Sequence, residues 1–285
     1  MKASELVLAP DGTLYHIRLQ SSTLADKVLL VGDPARVNMF KEIFDAIEYE
    51  SDNREIHALT GTYHGVRMTA LSTGMGCDNI DIVLTELDAA LHVEQGRWTD
   101  ACSRCLQMVR IGTSGSLQEE IDCGSHVAAA YAIGLDGLMN YYREWDTPLP
   151  AMEEALGSHM AFPTPVARPY CVQGSQRLLE QVGRGMHHGI TATAPGFYGP
   201  QGRTVRLHPS LEGLNERLAS FRWEGIPVTN LEMETSAIYG FSHLLGHEAL
   251  TACLIIANRP RGTFLNDYHH EMRQLVGTVV ERLAV

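Results

Sequence analysis

The chain of 285 residues has no apolar stretch long enough to cross a bilayer, which takes about 20 residues, so no membrane span is expected. No long apolar segment follows Met1-Lys2-Ala3-Ser4-Glu5 either, which predicts no secretory leader. Basic residues are outnumbered: 22 Lys and Arg stand against 34 Asp and Glu, a net charge of −12, and no basic run is present. Nucleic-acid binders carry a basic face, so that class is excluded, while a few arginines in one pocket can still hold a small anion. Cys102 and Cys105 form a C-x-x-C, but no second pair at zinc-ligand spacing follows. Ordinary thiols of a cytoplasmic protein are the expectation. His187-His188 and His269-His270 have no carboxylate or Cys partner at ligand spacing, so no metal is expected. Thr113-Ser114-Gly115-Ser116 is not a Gly-x-Ser-x-Gly elbow, which argues against a serine hydrolase. Repeats, low-complexity tracts and linkers are also missing. With 45% hydrophobic residues, the reading is one domain spanning residues 1–285.

Strand and helix patterns alternate. Val28-Leu29-Leu30-Val31 is an apolar run ending at Gly32-Asp33-Pro34, and a helical pattern follows through Met39, Phe40, Ile43 and Phe44. Asp33 fits an N-cap and Pro34 the first helical position. Residues 55–62 and 66–72 read as a hairpin around Tyr63-His64-Gly65. Further strands are expected at 108–112, 126–133, 189–194, 227–231 and 250–257, and helices at 79–93, 176–184, 234–245 and 265–283. Residues 113–116 read as a turn, and 137–161 as a surface excursion. The alternation predicts an α/β fold with a central mixed sheet covered by helices on both faces.

Two stretches carry the chemistry. Phe197-Tyr198-Gly199-Pro200-Gln201-Gly202-Arg203 places an amide and a guanidinium two residues apart beside aromatics. That set can hydrogen-bond a flat heterocycle having both donors and acceptors. Asn230-Leu231-Glu232-Met233-Glu234 places two carboxylates around a methionine, a set suited to sugar hydroxyls and a sugar ring. Together they point to a nucleoside. Gly32 and Arg36 lie on a strand-to-helix turn, where the dipole favours an anion. Arg110 precedes Thr113, and Arg54 opens the hairpin. Three arginines and two small-residue turns could enclose a phosphate. Taken one at a time these residues are ordinary: Met233 reads equally as core packing, Glu234 as a helix-start carboxylate and His16 as a loop residue.

Gly32-Asp33-Pro34-Ala35-Arg36-Val37, Thr73-Gly74-Met75-Gly76, Arg110-Ile111-Gly112-Thr113-Ser114-Gly115 and Glu232-Met233-Glu234 resemble, in order, the motifs of the nucleoside phosphorylase-I family. Gln201-x-Arg203 and Asn258-Arg259 look like its uridine phosphorylase branch. The resemblance implies reversible phosphorolysis of a pyrimidine nucleoside, without cofactor and with inorganic phosphate as co-substrate. It implies that Gly32, Arg36, Arg110 and Thr113 bind phosphate, joined by Arg54 from a neighbouring subunit. Met233 and Glu234, with Glu232 beside them, with Thr113 and with His16 reaching across from a neighbour, would bind ribose. Phe197, Gln201, Arg203 and Arg259 would bind the base, and Arg110, Gln201, Arg203 and Glu234 would carry catalysis. A homo-oligomer, at least a dimer, follows.

The chain departs from the family pattern at Cys77-Asp78-Asn79, in the Gly199-Pro200 order of the base loop, and at Pro260-Arg261-Gly262. Asn258-Arg259 stands where the purine branch has Ser-Asp, so no Asp is available there to protonate a purine. Two alternatives stay open: a nucleosidase of the same fold using water, and a non-catalytic nucleoside-binding protein.

Overall fold

In the computed structural model, which describes residues 2–100, 102–162 and 166–285, most of the apolar runs are strands of one mixed sheet. The strands are β1 Lys27–Val31, β2 Ala46–Asn53, β3 Ile56–Tyr63, β4 Val66–Ser72, the short β5 Val93–Glu94 and β6 Arg97–Trp98, β7 Gln107–Ser116, β8 His126–Gly134 and β9 Tyr170–Gln173. They continue with β10 His187–Thr193, β11 Arg222–Trp223, β12 Ile226–Glu232, β13 Glu248–Asn258 and β14 Thr263–Phe264. The α-helices are α1 Pro34–Lys41, α2 Cys77–His92, α3 Pro150–Met160, α4 Gln176–Gln181, α5 Leu214–Ser220, α6 Thr235–Leu245 and α7 His269–Leu283.

The sheet runs β11-β12-β10-β8-β13-β7-β1-β4-β3-β2, with β14 on β13 and β9 on β8. β12 also pairs antiparallel with β7. Strands β7, β13, β8, β10 and β12 therefore close on themselves as a five-stranded ring, and β1 to β4 extend from it as an open wing. β4, β1, β7 and β13 run parallel to one another, so their C-terminal ends share one edge. Ligands of α/β sheets bind at such an edge. β12 crosses β7 there, with Leu231 opposite Gly115.

Helices cover both faces, which is why β1 is apolar from Val28 to Val31. α2 and α6 pack one face through Ile80, Val83, Leu87 and Ile238. α1, α4 and α7 pack the other through Phe40, Leu178, Leu275 and Val279. α1 starts as expected: Asp33 accepts from Ala35 N at 2.9 Å, and Pro34 holds the first turn. Among the described residues, no helix is long and apolar enough to cross a membrane.

Several expectations need correction. Residues 113–116 are not a turn but the end of β7, whose backbone pairs with β13 on one side and with β12 at its tip. The small residues there permit close strand crossing. Their hydroxyls are satisfied inside the ring: Ser114 Oγ accepts from Asn230 Nδ2 at 2.9 Å, and Ser116 Oγ donates to Gln118 O at 2.8 Å. The 137–161 excursion contains a 3₁₀ turn, Leu138–Tyr141, and α3. Met152, Leu156 and Met160 of α3 are fully buried, a four-residue period that marks a packed helix. β2 went unrecognised because it is an exposed edge strand carrying Glu48, Glu50 and Asp52, charges that protect such edges. Helix limits also shift: α1 stops before Ile43 and Phe44, α2 begins at Cys77, α4 ends at Gln181, α7 begins at His269, and Glu234 is the residue before α6.

Candidate active site

One cleft of about 920 Å³ opens at the C-terminal edge of the parallel strands. Gly32 and Arg36 come from the β1–α1 turn, Arg110 and Thr113 from β7, and Glu232, Met233 and Glu234 from the β12–α6 junction. Phe197, Gln201 and Arg203 come from the loop after β10, and Arg259 from the end of β13. Of the site residues named from sequence, only His16 and Arg54 do not line it.

The centre is a buried ion cluster. Arg110, 5% exposed, pairs through Nη2 with Glu234 Oε2, and its Nη1 lies 3.1 Å from Glu232 Oε2. Burial opposes the charge on Arg110, but Glu234 and Glu232 outweigh it and hold the pKa above the usual value. Glu234 Oε1 accepts from Gly76 N at 2.7 Å, which ties the start of α2 to the cleft. Glu232 accepts from the Glu234 and Thr235 amides and from Thr193 Oγ1 at 2.7 Å. It therefore caps the start of α6. Gly112 is required beneath this cluster, because a Cβ there would stand 2.2 Å from Arg110 Nη1.

Both ends of the cleft are cationic. Arg36 is half-buried and donates Nη1 to Ile111 O at 3.2 Å, with no ion pair among the described residues. Burial, with Arg110 nearby, lowers its pKa. Asp33 caps α1 beside it and engages the Ala35 amide. At the far end, Arg203 lies over the Phe197 ring, 3.8 Å from the centroid, and donates to Gln201 Oε1 at 2.5 Å. This leaves the Gln201 amide nitrogen free as a donor in a side chain only 3% exposed. Arg259 Nη2 donates to Gln201 O at 2.6 Å, while its Nη1 is buried with no partner. Burial first, then Arg203, push the Arg259 pKa down to about 10. Desolvated guanidiniums that lack carboxylates favour an incoming anion.

His16 and Arg54 form a separate patch. Asn53 Nδ2 donates to Tyr15 O and His16 O, 3.0 Å each, and Arg54 lies 6.0 Å from the Tyr15 ring centroid. Arg54 is exposed and adopts φ 59°, a left-handed conformation costly for a non-glycine residue. A buried residue that sequence reading missed, Glu86, holds His16 Nδ1 at 2.5 Å. Its helical position in an apolar stretch gave no signal of a partner so distant in sequence. Asn258, beside Arg259, is 1% exposed and donates Nδ2 to the carbonyls of Gln118, Glu119 and Ile121. Its work is to tie down a loop.

The residues that build this guanidinium–dicarboxylate centre and its two cationic ends all lie within the stretch matched by a family model. The chain belongs to the phosphorylase superfamily. The family's model covers residues 26–284. Among curated relatives, the uridine phosphorylase of Thermococcus kodakarensis is 29% identical over 96% of this chain and 88% of its own. The purine nucleoside phosphorylase DeoD-type of Alkaliphilus metalliredigens is 28% identical over 83% of this chain and 84% of its own. Among solved structures, a Trypanosoma brucei nucleoside phosphorylase described as showing uridine phosphorylase activity superposes with a TM-score of 0.81. It has 28% identity and covers 98% of each chain.

Proposed function

We propose that this protein is a cytoplasmic uridine phosphorylase, a pentosyltransferase. It would convert uridine and inorganic phosphate reversibly to uracil and ribose 1-phosphate, with the whole chain acting as one domain. The observation that carries the reading is the charge order along the cleft: Arg36 without a carboxylate, then Arg110 with Glu232 and Glu234, then Arg203 and Arg259 without carboxylates. Phosphate suits the first position, held by Arg36, Arg110, Thr113 and the Gly32 turn. Ribose suits the second, against Met233 and Glu234. We assign Glu232 to holding Arg110 and α6, because hydrogen bonds already engage both of its oxygens. Uracil suits the third position, between Gln201, Arg203, Arg259 and Phe197.

As the glycosidic bond breaks, positive charge grows on the sugar and negative charge on the base. Phosphate beneath the sugar serves as counter-ion and nucleophile, positioned by the arginines. The departing base meets the free Gln201 amide and two guanidiniums, which stabilise its charge without a carboxylic acid. No cofactor enters this scheme. The test is uracil release from uridine with and without inorganic phosphate. Release should depend on phosphate; equal turnover in phosphate-free buffer would replace this reading with a nucleosidase.

The patch of half-buried His16 and exposed Arg54, outside its own cleft, suits donation to a neighbouring subunit. A two-fold contact makes such donation reciprocal, giving two composite sites per dimer. Arg54→Ala chains mixed with Arg110→Ala chains, both inactive alone, should then recover activity. A mixed dimer has one site carrying both lesions and one carrying neither, so up to half the wild-type rate should return. Confirmed subunit exchange with no recovery would place Arg54 outside the site.

A further inference from the structure

We infer that Cys253 is a positioning residue for the anion: its sulfur fixes the angle at which Arg110 meets phosphate. The inference rests on the phosphorolysis reading given above. Cys253 lies on β13 opposite Gly112 of β7. It is 1% exposed and stands behind the cleft rather than in its lining. Residues two apart in a strand share a face, and the residue paired across from them shares it too. Arg110, Gly112 and Cys253 therefore stand on one face of the sheet. Gly112 adds no side chain, so Arg110 turns back over it, and its Nη1 donates to Cys253 Sγ at 3.5 Å.

A guanidinium is a rigid planar fork, so bonds from two different nitrogens fix its orientation. Among the described residues Arg110 makes two hydrogen bonds: Nη2 to Glu234 Oε2 and Nη1 to Cys253 Sγ. Glu232 supplies attraction rather than direction. Its Oε2 lies 3.1 Å from Nη1, but its oxygens accept from Thr193 Oγ1 and from the Glu234 and Thr235 amides. Without the sulfur, the guanidinium would hinge on Glu234 alone. The chemistry of this second anchor also matters. A thiol sulfur is a weak acceptor. Burial, against the pull of Arg110, pushes the Cys253 thiol up to about 11, so it is uncharged at neutral pH. It turns the guanidinium without neutralising it. A third carboxylate at this point would compete with phosphate for the same charge.

The experiment measures initial rates with phosphate varied at saturating uridine, and with uridine varied at saturating phosphate. Cys253→Ala and Cys253→Val bracket the native volume, one leaving a gap and one overfilling it, and neither offers an acceptor. Cys253→Ser keeps one. KM for phosphate should rise about tenfold in both Ala and Val, the worth of one charge-assisted hydrogen bond, and stay within about threefold of wild type in Ser. KM for uridine should stay within about twofold throughout, a split that separates aim at the anion from general damage. The same order should appear without turnover. Phosphate raises the melting temperature by binding the folded state, and the concentration needed for a given rise should be about tenfold higher in Ala and Val. If one of these two fails to fold, the other carries the comparison, since both lack the acceptor. If Ser behaves as Ala and Val do, or if kcat and melting temperature fall while KM for phosphate holds, Cys253 only packs and the inference is overturned. If wild type releases uracil equally with and without phosphate, the functional reading falls and takes this inference with it.

Discussion

Replacing Arg110 by Ala should cost both activity and stability. The activity loss should be about 10²–10³-fold in kcat, the scale for removing one preorganised donor from a developing transition-state charge. The stability loss has a separate cause. Glu234 and Glu232 both lean on Arg110 inside the ring, at 5% and 4% exposure. Removing the cation leaves buried carboxylates unpaired, a change of about 3–5 kcal/mol where one partner of a buried pair is lost. At about 2–4 °C per kcal/mol for a protein of roughly this size, the melting temperature should fall by at least ~6 °C. From sequence alone, Arg110→Ala reads as a substitution that leaves the fold intact; the ion cluster changes that expectation. Arg203→Ala supplies the contrast. Arg203 has no ion pair among the described residues and is half-buried, so its loss should reduce turnover while the melting temperature stays nearly unchanged. Scanning calorimetry beside steady-state kinetics separates the two. An Arg110→Ala protein within threefold of wild-type activity would remove Arg110 from the reaction.

Uridine should exceed inosine in kcat/KM by about 10⁴, the discrimination available when a mismatched ligand leaves buried hydrogen-bonding groups unpaired. The groups at stake are the Gln201 amide, 3% exposed, and the partnerless Nη1 of Arg259. A purine leaving group is best helped by a proton on its ring nitrogen. The carboxylates that line the cleft are Asp33, Glu55, Glu232 and Glu234. Asp33 and Glu55 lie at the phosphate end and the other two are held by Arg110, so no acid faces the base end. The purine nucleoside phosphorylase among the relatives makes this a real contest. Comparable kcat/KM for inosine and uridine would overturn the base assignment while leaving phosphorolysis standing.

Much of the fold was legible because burial on both sheet faces writes continuous apolar runs such as Val28 to Val31. Reading failed where a second constraint overrode local composition. Thr113 to Ser116 looks like a turn in isolation and becomes a strand because β12 and β13 supply its ladder. Glu232 seemed to be a ligand group, yet it caps α6, and its neighbour Asn230 binds Ser114, Thr191 and Thr229. Side chains that can serve a ligand can equally serve a strand crossing, and the one-dimensional string does not distinguish them. Glu86 was illegible for a different reason: its partner lies 70 positions earlier, in a segment with no periodic pattern.

The crossing of β12 over β7 also governs when the site comes into being during folding. Arg110 and Glu234 are 124 positions apart, so their meeting carries the entropy of closing a very long loop. Contacts of such range form slowly and late. The wing of β1 to β4, built on the antiparallel pairs of β2, β3 and β4, can assemble from nearer neighbours, and Arg36 can be in place before Arg110 finds its carboxylates. A chain released before β12 docks would hold a half-built anion pocket and no sugar platform.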